Sequence, residues 1–153
     1  MFKNEYEAMV GAAEGKLAFL SKNPLGYFCL SMLAGAYIGF GVILSNTIGQ
    51  SLSGEPIAKL FSGLTFGVAL SLVVICGGEL FTGNNMVLFG SVLTKKRRFS
   101  EVLKLWCVCW IGNLLGAVIL GCIYTLTGYG AGPVGEFMSV AAETKMSAGA
   151  VQL

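Results

Sequence analysis

The sequence predicts an all-α integral membrane protein, and three observations carry that prediction. Hydrophobic residues make up 55% of the 153 positions and charged residues only 12%, about half the charged share of a soluble domain. Mean hydropathy is +0.76. The apolar residues fall into long stretches of the length a bilayer demands, roughly 20 residues per span. The length fits one domain, 1–153, of about three spans plus flanks. A membrane is the expected location, with the lipid bilayer as the first partner.

Residues 2–21 predict an amphipathic surface helix. Met9, Ala13, Leu17 and Leu20 recur at helical spacing, with Lys3, Glu7, Glu14 and Lys16 placed on other faces. Lys22 precedes the first span, so this helix is expected on the cytoplasmic surface. Glu5, Glu7 and Glu14 leave no apolar core for a signal peptide.

Residues 25–44 are twenty positions without a charge, introduced by Pro24, and form span one. Gly35, Gly39 and Gly41 make a strip of small residues, which predicts close contact with another helix of this chain or a neighbour. Residues 46–56 contain Gln50, Ser51, Ser53, Gly54 and Pro56 and are expected to be an external polar connection.

Residues 57–93 form a second apolar region, too long for one straight span. Gly77, Gly78, Glu79, Thr82, Gly83, Asn84 and Asn85 fall within it. That composition does not suit a continuous lipid-facing helix, so a break at 77–85 is expected, lining a solute path. Irregular backbone at membrane depth survives only beside protein or a water-filled cavity. Broken helices aim freed N–H groups at anions. Glu79 marks a functional region, although a carboxylate directly in an anion path would repel its solute, which favours a supporting role. A simple kink at Gly77 and Gly78 is the lesser alternative. Asn84 and Asn85 can cap the freed backbone or line a vestibule, and Thr82 can instead bond its own helix.

Residues 94–104 hold Lys95, Lys96, Arg97, Arg98 and Lys104 against Glu101. By the positive-inside rule this loop is cytoplasmic, and the N-terminus with it. Residues 105–127 form span three, with Trp106 and Trp110 near one interface and Tyr124 near the other. Gly112 and Gly116 bracket Asn113 in a GxxxG pattern that predicts helix packing. A glycine-rich external loop, 128–135, leads to residues 136–153, which read as the lead-in to a fourth span and give the sequence the look of a truncated product.

Several functions are disfavoured. A net charge of +2 is too small for nucleic-acid binding. There is no histidine, so no imidazole base or His ligand, and none of the five cysteines forms a CxxC pair. No enzyme, metal or cofactor is expected.

The run from Cys76 through Gly77, Gly78, Glu79, Leu80, Phe81, Thr82, Gly83, Asn84 and Asn85 to Met86 closely resembles the second-helix signature of the formate/nitrite transporter family. The surface helix, Pro24, the basic loop and Trp106, Gly112, Asn113 and Gly116 follow the same order. The match runs along nearly the whole chain and covers about the first half of a typical member, with most likeness to the hydrosulfide branch. The resemblance implies an aquaporin-like bundle, six spans in an inverted repeat, with a separate pore in each protomer of a homopentamer. Leu80, Phe81 and Thr82 would lie on the loop of the broken span. Leu80 would join Leu70 at the cytoplasmic constriction and Phe66 would sit at the periplasmic one. Thr82 would be the gating hydroxyl, and Lys145 the lysine whose field draws anions inward. The family's pore histidine and second broken span fall outside this sequence. A non-transporting membrane assembly subunit remains the alternative function.

Overall fold

The computed structural model describes residues 3–149. Six α-helices occur among the described residues: α1 (Lys3–Lys22), α2 (Pro24–Ser51), α3 (Ala58–Ile75), α4 (Phe81–Leu93), α5 (Phe99–Leu126) and α6 (Pro133–Ser147), with a 3-10 turn at Tyr129–Ala131. No strand occurs among the described residues. Phe2, and positions 150–153 of the expected lead-in to a fourth span, lie outside them.

α2 is the central element, flanked by α5 on one side and α3 on the other. Glycines set its approach to both. A Cβ on Gly35 would collide with the Asn113 carbonyl, and one on Gly116 with the Met32 carbonyl. On the other flank, Gly41 faces Ala69 of α3. The two small-residue strips therefore meet each other within this chain. This backbone-to-backbone proximity replaces the hydrophobic drive that lipid does not supply.

The buried core lies at the end of the bundle where α1, α2, α4 and α5 converge. Ala13, Leu20, Tyr27, Leu88, Val102, Leu105 and Cys109 form it. α1 lies across this end. Its Tyr6 hydroxyl donates to the Gly90 carbonyl of α4 at 3.1 Å, and Met9 fills the space that a Gly90 side chain would occupy. Among the described residues three helices, Pro24–Ser51, Ala58–Cys76 and Phe99–Leu126, are long and apolar enough to cross a membrane, yet only 11% to 22% of their most apolar windows is buried. Their remaining surface has lipid or further protein as its natural neighbour.

The sequence-based boundaries change in four places. Span one does not end at residue 44, because α2 runs on to Ser51. Asn46, Thr47 and Ser51 donate their side chains to the carbonyls of Val42, Ile43 and Thr47, four residues back, so the polar stretch is satisfied by its own helix. Ser45 and Ser62 also pair at 2.8 Å, tying this extension to α3. α5 starts at Phe99, where the Glu101 carboxylate accepts the Arg98 backbone N–H; part of the basic loop is thus helix. α6 starts at Pro133, which needs no donor at the first helical position. The break in the second span is also shorter than residues 77–85, because α4 begins at Phe81.

Candidate functional site at the break in the second span

α3 terminates through glycine chemistry. Cys76 is its last half-helical residue and Gly77 follows with φ +76°. The Gly78 N–H donates to the Val73 carbonyl at 2.8 Å, the six-to-one bond of a Schellman termination. A side chain on Gly78 would press on Ala34 of α2. Glu79 then reaches α2, its N–H donating to the Leu30 carbonyl at 3.2 Å. Leu30 lies about 10 Å along α2 from Pro24, so the break sits toward the core end of the bundle.

α4 starts without a cap of its own, since Leu80 is apolar. The cap comes from α5. The Asn113 Oδ1 accepts the Phe81 N–H at 2.9 Å, while Nδ2 donates to the Glu79 carbonyl at 2.9 Å and the Ser31 carbonyl at 2.8 Å. One amide thus bridges both sides of the break and fastens them to α2. Cys109 adds an S–H donated to the Glu79 carbonyl at 3.1 Å.

The Glu79 side chain is also fully engaged. Lys16 of α1 donates to both carboxylate oxygens at 2.8 and 2.7 Å. Asn84, 1% exposed, has Glu79 Oε2, the Tyr27 hydroxyl and Cys109 Sγ within 3.3 Å of its Nδ2. Trp106 donates to the Asn84 carbonyl at 3.5 Å. The acid inside the apolar region is a neutralised strut.

The expected site residues separate into two groups. Gly77, Gly78, Glu79 and Leu80 form the connecting segment. Phe81, Thr82, Gly83, Asn84 and Asn85 belong to α4 instead of the loop, because the Asn113 cap lets the helix start four residues before Asn85. Asn84 neither caps the freed backbone nor opens onto a vestibule. Asn85 keeps a buried Oδ1 with no hydrogen-bond partner among the described residues. Phe66 and Leu70 lie one turn apart on the exposed face of α3. Lys145 is exposed in the last turn of α6, and no ion pair or hydrogen bond among the described residues links it to the break.

Thr82 stands apart from this bonded framework. It is exposed, and its hydroxyl does not bond the helix, unlike Thr47, Thr65 and Thr94. At the second position of α4 there is no preceding helical turn to accept it. The backbone N–H groups of Thr82 and Gly83 also lack acceptors among the described residues, as expected for a first helical turn. Three donors therefore remain open at the positive end of a helix dipole.

Sequence reasoning missed Lys16, Tyr27, Ser31 and Cys109, and gave Asn113 only a packing role. Lys16 does not lie on a polar face of α1, contrary to the expectation from its charge: it is part-buried in line with Met9, Ala13 and Leu20, because its ammonium pairs with Glu79 of the break.

A helical bundle of apolar segments, one of them broken and the break held by buried polar bonds, is the architecture of an integral membrane protein with irregular backbone covered by its own chain. The profile of the formate/nitrite transporter family matches residues 3–153. This chain belongs to that family. It is 40% identical over 118 residues to the nitrite transporter NirC of Escherichia coli (strain K12), covering 76% of this chain and 44% of that one. Identity is 43% over 104 residues with a probable formate transporter of Methanothermobacter thermautotrophicus, covering 65% and 38%. A solved structure of an FNT family ion channel superposes with a TM-score of 0.78 at 35% identity, over 83% of this chain and 51% of the channel. The chain spans about half the length of these relatives or less.

Proposed function

We propose that the protein conducts small monovalent anions of weak acids, formate, nitrite or hydrosulfide, passively or coupled to protons, across the plasma (inner) membrane of a prokaryote. The open donors at Thr82 and Gly83 carry this reading. An anion entering an apolar constriction loses hydration, at a cost of several kcal/mol. Preorganised O–H and N–H donors offset that cost without reorganising.

The neutralisation of Glu79 fits the same chemistry. Bonded to Lys16 and Asn84, its carboxylate does not place a net negative charge against the solute. Phe66, Leu70, Leu80 and Phe81 supply the apolar walls, and Lys145 an attractive field at the entrance. The complete pore is formed in each protomer of a homopentamer, with further spans facing the exposed surface of α3. The basic segment from Lys95 to Arg98 lies on the cytoplasmic side, and α1 with it.

Flux into proteoliposomes of the protein as expressed from its own gene tests this reading. Formate, nitrite or hydrosulfide is expected to enter at least about tenfold faster than sulfate, whose double charge raises the dehydration cost. Rates for all three anions equal to those of empty liposomes overturn the channel reading and favour an assembly subunit without transport.

A further inference from the structure

A second polar feature lies away from the break. Lys22 at the end of α1, Arg97 in the loop before α5 and Lys104 in α5 line a cleft of ≈ 410 Å³. Leu17 and Leu20 also line it. The cleft carries three cations and one carboxylate, Glu101, and that carboxylate accepts the Arg98 backbone N–H. Neither Lys22 nor Lys104 has an ion-pair partner among the described residues. Arg97 approaches Glu14 at 3.9 Å, yet its Nε is buried with no hydrogen-bond partner among the described residues.

A cleft lined by both cations and leucines matches a ligand that is anionic at one end and apolar at the other. Electrostatics place an anionic phospholipid at the same level, because polybasic segments beside a span attract the negative cytoplasmic leaflet. We propose that this cleft seats the phosphate of such a lipid, an anionic phospholipid of the cytoplasmic leaflet, between Lys22, Arg97 and Lys104, with its acyl chains beginning against Leu17 and Leu20. Bound there, the lipid bridges α1 to the start of α5. The inference uses the cytoplasmic orientation proposed above but not the transport activity, and its test reads binding alone.

The test is a native mass-spectrometric titration of the protein, as expressed from its own gene, in a neutral detergent. Dioctanoyl phosphatidylglycerol is expected to bind at least about tenfold more tightly than dioctanoyl phosphatidylcholine. Inorganic phosphate and glycerol 3-phosphate, offered at the lipid's concentration, are expected not to displace it. The double variant Lys22→Gln, Lys104→Gln is expected to weaken binding about thirtyfold. Lys95→Gln with Lys96→Gln, exposed and outside the cleft, is expected to change it by less than about threefold. Equal losses in both pairs mean diffuse attraction and overturn the proposal, as does retained binding in the cleft variant. Displacement by free phosphate at equal concentration overturns the lipid as occupant.

Discussion

Alanine at Lys16 is expected to destabilise the protein by about 3 kcal/mol, the lower end of the cost of breaking a buried ion pair. Lys16 and Glu79 retain only 26% and 13% of their side-chain exposure, with Nζ 2.7 Å from Oε2. Without the ammonium, Glu79 keeps Asn84 as its remaining side-chain partner and loses the hydrogen bonds that satisfy both carboxylate oxygens in apolar surroundings, which costs free energy. The pair also joins α1 to the break across 63 residues of sequence. The signature of this mechanism is non-additivity. Lys16→Ala combined with Glu79→Gln is expected to be more stable than Lys16→Ala alone, since no unpaired carboxylate remains. Thermal unfolding in detergent measures both. A Lys16→Ala protein within about 0.5 kcal/mol of wild type, the range of ordinary surface substitutions, contradicts the assigned role.

Leucine at Asn113 is expected to cost a similar amount, about 3 kcal/mol, for a different reason. Asn113 makes three hydrogen bonds, to Phe81 N, the Glu79 carbonyl and the Ser31 carbonyl. The Glu79 carbonyl keeps Cys109, but the Phe81 N–H is left with no partner. An orphaned buried donor costs roughly 1–3 kcal/mol, and each lost ordinary bond about 1 kcal/mol. The first turn of α4 is then expected to fray, which shows as faster hydrogen exchange at Phe81 and the amides after it. Unchanged exchange there in Asn113→Leu removes Asn113 as the cap.

Much of this architecture was legible because its causes are local. Twenty uncharged residues in a row specify a span, and Gly77 with Gly78 inside an apolar run specifies a break. The helical start at Phe81 was not legible. Leu80 offers no cap, and the group that supplies one is 32 residues away in α5. The extension of α2 to Ser51 was hidden because Asn46, Thr47 and Ser51 favour turns in water, whereas here each donates back to its own helix. The role of Glu79 was half visible. An acid within an apolar region must have a partner, but the identity of Lys16 depends on how α1 crosses the bundle. The GxxxG strip of α5 was readable as packing, but Asn113 inside it also carries the polar tie, and a pattern of small residues does not encode that second task.

The bonded framework gives Thr82 its meaning. Lys16, Asn84, Tyr27, Cys109 and Asn113 satisfy the break, and the Thr82 hydroxyl is left open beside two free N–H groups. If those donors stabilise an anion in transit, removing the hydroxyl at constant shape must slow flux without harming the fold. Thr82→Val in proteoliposomes measures this directly, with Thr82→Ser as the companion that restores the hydroxyl. A hydrogen bond to a charged group is worth about 1.5–3 kcal/mol. Formate or nitrite flux is therefore expected to fall at least about tenfold in Thr82→Val, to recover in Thr82→Ser, and to leave the unfolding temperature unchanged. Wild-type flux in a well-folded Thr82→Val protein contradicts the assignment of the break as the anion path.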